Sequence, residues 1–217
     1  MIDLHTHSLF SDGVLIPSEL VRRAMVKGYE AIAITDHADA SNFDFIIPRL
    51  IRVATDLSAL WPIVVIPGIE LTHVPPPEIA RLTRESRRMG ARLVVVHGET
   101  MVEPVEPGTN RAAIMAGPDI LSHPGMITKK DAALAAKKGV HLEISARKGH
   151  SLSNGHVAKV ALETGARLVV NTDAHEPGDL ITAEFAFMVL EAAGLSKKEA
   201  ARAMRNSREI VNNILGG

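Results

Sequence analysis

The chain has no cysteine, which excludes disulfides, thiolate nucleophiles and cysteine-ligated zinc. Aromatic residues are scarce. Five Phe, one Tyr and one Trp among 217 residues are too few for a stacking platform that grips single strands. Neither sign of charge dominates, because 24 Lys and Arg face 25 Asp and Glu, and the basic residues are dispersed along the chain. That balance argues against a general nucleic-acid or membrane surface. No apolar run reaches membrane-spanning length, and the start, Met1 to His7, lacks the basic and apolar blocks of a signal peptide. Together these absences predict a soluble, cytoplasmic protein.

What is present is an apolar fraction of 46%, rich in Ala, Val, Ile and Leu, enough to bury parallel strands beneath helices. Length and the lack of any linker predict one α/β domain over residues 1–217. Short β-branched runs alternate with helical patterns. Strands are expected at Ile2–His5, Ala31–Thr35 and Ile63–Ile69, and helices from Pro17 to Gly28, Phe43 to Leu60, Leu180 to Ala193 and Lys197 to Leu215. A unit then recurs almost in sequence: Met89-Gly90-Ala91-Arg92-Leu93-Val94-Val95-Val96-His97 echoes Thr164-Gly165-Ala166-Arg167-Leu168-Val169-Val170, with a looser copy from Lys138 to Glu143. Each copy is a helix end, a capping glycine, a strand and a polar residue. Such units build either a doubly wound sheet or a closed barrel.

Seven of the apolar runs end in a carboxylate, a histidine or both: Asp3-Leu4-His5-Thr6-His7, Thr35-Asp36-His37, Gly68-Ile69-Glu70, Val96-His97, Ser122-His123, Leu142-Glu143 and Thr172-Asp173-Ala174-His175. An open sheet gathers its site at one crevice, whereas ligands from every strand favour a barrel. Strand residues two apart share a face, so Asp3, His5 and His7 are expected to point one way, as are Leu93, Val95 and His97, and Val169, Asn171 and Asp173. The expected fold is therefore a closed barrel of α/β class with a metal site at the C-terminal mouth of its strands. His5 and His7 lie close enough to share an ion, and a buried Glu70 needs a cationic partner.

The set Asp3-Leu-His-Thr-His-Ser-Leu-Phe-Ser-Asp-Gly13, Ile34-Thr-Asp-His37, Gly68-Ile-Glu70, His97, Ser122-His-Pro-Gly125 and Asn171-Thr-Asp-Ala-His175 resembles the PHP family, the polymerase and histidinol phosphatase domains. The resemblance implies a distorted (β/α)7 TIM-like barrel carrying two to three divalent ions, Zn, Mn or Fe. By the same resemblance one ion would sit with His5, His7, Glu70 and Asp173, and a second with Glu70, His97 and His123. A third would take Asp12, His37 and His175; some family members have His where this chain has Asp12. Glu70, Asp173 and His175 are thereby the catalytic candidates.

Among the other polar residues, Asp3, Asp36 and Glu143 are candidates for orienting imidazoles from behind. His141, within a strand, reads as a satisfied interior histidine. Arg147 offers a bidentate fork and Lys148 a point charge for a phosphate, the alternative being a solvated basic loop. Arg111 is a weaker phosphate candidate, and His150 or a metal-bound water would serve as the leaving-group acid. Hydroxide held between two ions and attacking phosphorus is the expected chemistry, with a small phosphorylated metabolite as the partner. Two further readings stay open: a phosphodiesterase or 3′–5′ exonuclease, and a catalytically silent scaffold or RNA-binding subunit.

Overall fold

Seven parallel staves, each followed by a helix, wrap around one interior in a computed structural model that describes residues 1–216. The strands are β1 (Ile2–Asp3), β2 (Ala31–Ile34), β3 (His37–Ala38), β4 (Val64–Leu71), β5 (Leu93–His97), β6 (Ile120–Ser122), β7 (His141–Ser145) and β8 (Leu168–Asn171). Between and after them run α1 (Pro17–Val26), α2 (Phe43–Leu60), α3 (Pro76–Arg88), α4 (Thr109–Ala116), α5 (Lys129–Lys138), α6 (Asn154–Thr164), α7 (Ala183–Ala192) and α8 (Lys197–Gly216). The order around the sheet is β1-β2-β4-β5-β6-β7-β8, and β3 also pairs with β4. Ala31 lies beside Val64, Ile34 beside Pro67 and His37 beside Glu70, so β2 and β3 are one stave interrupted at Thr35 and Asp36. This is a distorted (β/α)7 barrel, the fold expected from candidate ligands at the end of every strand and from the family resemblance.

Side-chain alternation sorts the core into two clusters. Ile32, Ile34, Ile69, Leu71, Val94, Val96, Leu142, Ile144 and Val170 face outward against the helices. Ala31, Ala33, Ile66, Leu93, Val95, Ile120 and Val169 face inward and fill the lower interior. Ile210 and Val211 of α8 join this inner cluster from below. Floor and helix layer are therefore apolar, and polar groups collect at the opposite end. The recurring glycines act as expected. Gly139 and Gly165 follow α5 and α6 in the left-handed region, at φ 75° and 77°, where a side chain would be strained.

The seam between β8 and β1 is not a regular ladder. A single bridge joins Thr6 to Ala174, and the His7 amide donates to the Ala174 carbonyl at 2.8 Å. Lower down, side chains replace the ladder: the Leu4 amide donates to Asn171 Oδ1 at 2.9 Å. Helix α8 packs across this opening against both edge strands, and Asn206 Nδ2 donates to the Leu168 carbonyl at 2.7 Å. Free edges are a liability in a sheet, and here a helix covers them. Boundaries differ from expectation by a few residues. Helix α7 starts at Ala183 because the Thr182 hydroxyl caps it, accepting from the Phe185 amide. Strand β1 ends at Asp3, since Asp3 Oδ1 accepts the His5 amide at 3.3 Å in place of a ladder partner.

Ile210→Ala would leave a hole in the barrel floor. A loss of about 2–5 kcal/mol is expected, read from urea unfolding, with the groups at the mouth undisturbed.

Candidate metal centre

Alternation delivers the mouth residues. Ile66 and Val95 point inward, so Glu70 and His97 on the same strands follow them upward into the mouth. Leu142 and Ile144 point outward, which leaves Glu143 inside. Val169 points inward, and Asp173 continues that face two residues beyond the end of β8. Alternation fails on β1. Asp3 sits in register with outward-facing Ile32, while Leu4 joins the inner cluster and His5 also enters the interior. The turn closed by Asp3 Oδ1 shifts the alternation by one residue, so Asp3 does not share a face with His5 and His7, contrary to the sequence expectation.

All nine expected ligands meet. His7, Asp12, His37 and His175 place ligating atoms within 4.8 Å of one another, and so do three overlapping triplets: His5, His7 and Glu70; His5, His123 and Asp173; Glu70, His97 and His123. His5 Nε2 lies 3.2 Å from Glu70 Oε1, and His7 Nε2 lies 3.2 Å from Asp173 Oδ1. His37 Nδ1 lies 2.6 Å from Glu70 Oε2. Asp12 Oδ1 stands 3.4 Å from His37 Nε2 and 3.0 Å from His175 Nε2. His7 stacks on His175 with 4.1 Å between ring centroids.

Proximity does not satisfy these groups. Among the described residues, His5 Nε2, both nitrogens of His7, His123 Nδ1 and Asp173 Oδ1 are buried with no aligned hydrogen-bond partner. Buried polar atoms are nearly always paired, so five unpaired atoms in one mouth mark a place built for something else. Burial, with the neighbouring His37 and His5, holds His7 well below the usual imidazole range, and burial with His97 does the same to His123. Both imidazoles thus present lone pairs without a proton to lose, the state a metal requires. Burial opposes charge on His5, yet Glu143, Glu70 and Asp173 together hold it well above the usual range. Burial also opposes charge on Glu70, but His5 and His37 keep its carboxyl well below normal, whereas burial pushes Asp173 up to about 6. A donor set of imidazoles and carboxylates with unfilled lone pairs fits divalent transition metals. Backbone strain agrees: His123 and Asp173 are non-glycine residues held at φ 24° and 53°.

The supporting contacts correct two expectations. Glu143 does orient an imidazole: its Oε2 lies 2.8 Å from His5 Nδ1 and also accepts from Asn171 Nδ2 at 2.8 Å. That contact fixes a proton on Nδ1 and aims His5 Nε2 into the mouth, where a bound cation would take the place of its proton. Asp36 orients no imidazole. It accepts from the Ser8 amide and from the hydroxyls of Ser8 and Ser11, at 2.7–2.9 Å, and so pins the loop that carries Asp12. Asp3 likewise holds backbone, accepting from the Thr172 amide and hydroxyl beneath Asp173.

Arg147 donates through Nη1 to the Asp173 carbonyl at 3.0 Å, and Lys148 is exposed beside it. Both line a cavity of about 430 Å³ that also touches His175. Arg111 is out of the site: exposed on α4, it pairs with Asp131 at 2.9 Å. His141 lies at the start of β7, away from the mouth, and only its Nδ1 is bonded, to the Asp119 carbonyl at 3.2 Å. Two residues at the mouth matched no motif. His150 is buried against His123 with ring centroids 4.0 Å apart, and Glu103 Oε2 lies 3.1 Å from His97 Nε2. Hydrogen bonds from His150 and His97 hold the Glu103 carboxyl far below the usual range. The only signal in the sequence was an acid before a proline, six residues beyond the His97 strand end.

The PHP domain profile matches residues 3–100. An uncharacterized protein of Methanocaldococcus jannaschii is 50% identical over 199 residues, covering 91% of this chain and 91% of that protein. A probable phosphatase of Shewanella sp. strain ANA-3 is 30% identical over 226 residues, covering 90% of this chain and 84% of that one. The chain belongs to the PHP domain family. With that membership it joins the metal-dependent hydrolases. Among solved structures, a chain of archaeal ribonuclease P with mature tRNA matches with a TM-score of 0.74 at 17% identity, covering 99% of this chain and 91% of that one. The histidinol phosphate phosphatase of Lactococcus lactis subsp. lactis, solved with zinc, L-histidinol and phosphate, matches with a TM-score of 0.62 at 18% identity, covering 90% and 94%. At such identities these two show the PHP barrel fold alone.

Glu143→Gln would leave His5 with a neutral acceptor. Zinc affinity is expected to fall about 10- to 100-fold in a chelator competition while the protein stays folded.

Proposed function

We propose that this single barrel domain, residues 1–217, is a phosphoric monoester hydrolase acting on a small phosphorylated metabolite with two to three divalent ions. The observation that carries the reading is the crowd of buried nitrogens and oxygens at the mouth that have no partner. The overlapping groups of neighbouring ligating atoms support three places. His5, His7, Glu70 and Asp173 would hold one ion; Glu70, His97 and His123 a second; Asp12, His37 and His175 a third. Zinc, manganese and iron all suit this donor set. Bound divalent ions supply Lewis acidity, a nucleophile drawn from water at neutral pH, and positive charge for the phosphoryl oxygens.

The chain's own groups do the rest. Three ions would bring six positive charges against the three carboxylates of Asp12, Glu70 and Asp173, so the mouth attracts a phosphate dianion. Arg147, held by the Asp173 carbonyl, keeps further donors free for phosphate oxygens, and Lys148 adds charge at the rim of the same cavity. Glu70 and Asp173 keep the ligand imidazoles in place. His175 donates through Nδ1 to the Asp173 carbonyl at 2.9 Å, which leaves its Nε2 facing Asp12. His150, whose Nε2 lies 3.7 Å from Asp173 Oδ2, is placed to give a proton to a departing oxygen. No side-chain nucleophile is needed, in keeping with the missing cysteine. The phosphatase relative supports a monoester substrate.

A second reading is hydrolysis or binding of nucleic acid, favoured by the fold likeness to the ribonuclease P chain. The balanced, dispersed charge counts against it. A screen across metabolite phosphates, run beside single-stranded DNA, separates the two. Release of inorganic phosphate from small monoesters supports the proposal, and nucleotide release from DNA alone refutes it. Glu70→Gln is expected to stay folded, lose at least one bound ion by elemental analysis and drop phosphatase activity by about 100-fold or more. Full activity and full metal content in that variant would remove Glu70 from its shared role.

A further inference from the structure

Among the described residues, three that are not glycine have a left-handed backbone: His73 at φ 51°, His123 at φ 24° and Asp173 at φ 53°. Two of them are ligands in the proposed centre. The third, His73, matched no motif and lies just beyond the end of β4. A non-glycine residue in this region costs of order 1–3 kcal/mol and persists where function holds it. Val74 and three consecutive prolines, Pro75, Pro76 and Pro77, follow and stiffen the exit from that conformation.

His73 points at a partner. Its Nε2 lies 3.1 Å from Glu103 Oε2, and the same oxygen lies 3.1 Å from His97 Nε2. The His73 and His97 rings are 5.1 Å apart between centroids. Two imidazole nitrogens and a carboxylate oxygen, all within 4.8 Å of one another, make the donor set of an open zinc-type site. Side-chain exposure falls along the set, from 41% at His73 and 35% at Glu103 to 2% at His97, so the three form a path from solvent inward. His97 Nδ1 is taken by the Gly98 carbonyl at 3.1 Å. Its one free nitrogen, Nε2, therefore serves either this outer group or the inner group with Glu70 and His123, but not both at once.

We propose that His73, Glu103 and His97 form an outer seat for a divalent transition-metal ion at the rim of the barrel. Through this seat, one ion of the inner centre is loaded and exchanged. The inference rests on the metal centre proposed above. An arriving ion is met first by the exposed His73 and Glu103 and shares His97. It then moves inward as His97 Nε2 trades Glu103 for Glu70 and His123. Outside the inner centre, Glu103 and His73 contribute speed of exchange and leave the resting ion count unchanged.

The test uses the holoenzyme. Zinc-loaded protein is mixed with isotopically distinct zinc, and exchange is followed by mass spectrometry, with total zinc measured alongside. His73→Asn suits the left-handed backbone while removing the imidazole. Glu103→Gln removes the carboxylate charge. One ion of the wild type is expected to exchange at least tenfold faster than the same ion in either variant, with equal total zinc in all three. Wild-type crystals soaked with excess zinc should show anomalous scattering between His73 and Glu103, lost in His73→Asn. Equal exchange rates in the three proteins would overturn the proposal. So would a lower total zinc in the variants, because His73 and Glu103 would then be permanent ligands. A wild type that holds no zinc at all would instead remove the inner centre, a separate result from a centre that fills but exchanges at one rate in every variant.

Discussion

Buried donors without acceptors for their lone pairs are the constraint on which this molecule turns. Glu70 is fully buried between imidazoles, with His5, His37 and His123 all within 3.8 Å of its oxygens. Taking such groups out of water costs several kcal/mol apiece, and protons alone cannot offset it. Each imidazole that takes a proton to please Glu70 or Asp173 repels the next, and burial together with that repulsion drives His7 and His123 neutral. Cations placed among the lone pairs relieve the whole set at once. The barrel mouth is thus organised around charge that the chain does not itself carry.

That arrangement also explains the layering below it. At the floor, Leu93, Val95, Ile120 and Val169 meet Ile210 and Val211 of α8 in an apolar plug. Directly above, fully buried polar side chains satisfy one another and nearby backbone: Asn171 donates to Glu143, Ser122 donates to Glu70, and Thr35 Oγ1 accepts from the Thr6 amide. Above them lie the unpaired ligands. The middle layer is what converts a hydrophobic interior into a polar mouth without stranding a group. Glu143 shows the principle, since it faces His5 upward and is itself steadied by Asn171 beside it.

Much of this was legible in the chain because β5, β7 and β8 keep strict alternation, so a histidine or acid late on the inward register rises into the mouth, whereas His141 at the start of β7 does not. The repeated glycine-capped units gave alternating strands and helices, and candidate ligands at the end of every strand favoured a barrel over an open sheet. Legibility ended where side chains bond to backbone. On β1, Asp3 Oδ1 takes the His5 amide and shifts the alternation, an event that spacing alone does not reveal. Asp36 faces away from His37 as parity requires, but its partners are the serines of a loop far away in sequence. Arg111, the weaker phosphate candidate, lies outside the site, where it pairs with Asp131 on the neighbouring helix. Glu103 and His150 sit on long connections, where periodicity carries no information about direction.

The same division separates the ends of the strands from the longer connections between them. His37, Glu70 and His97 on the strands, with residues of the connections beyond the strand ends, fix where ions would lie. Loop-borne residues fix what else can reach those ions. Arg147 from the β7 connection, Glu103 from the β5 connection and His73 from the β4 connection approach the mouth from different sides. The cavity beside His175 is lined by Arg147, Lys148 and Glu176, none of which is a proposed ligand. The ligating groups therefore converge from the ends of the strands, while the longer connections supply the side chains around them, so barrels with the same ligands can act on different molecules.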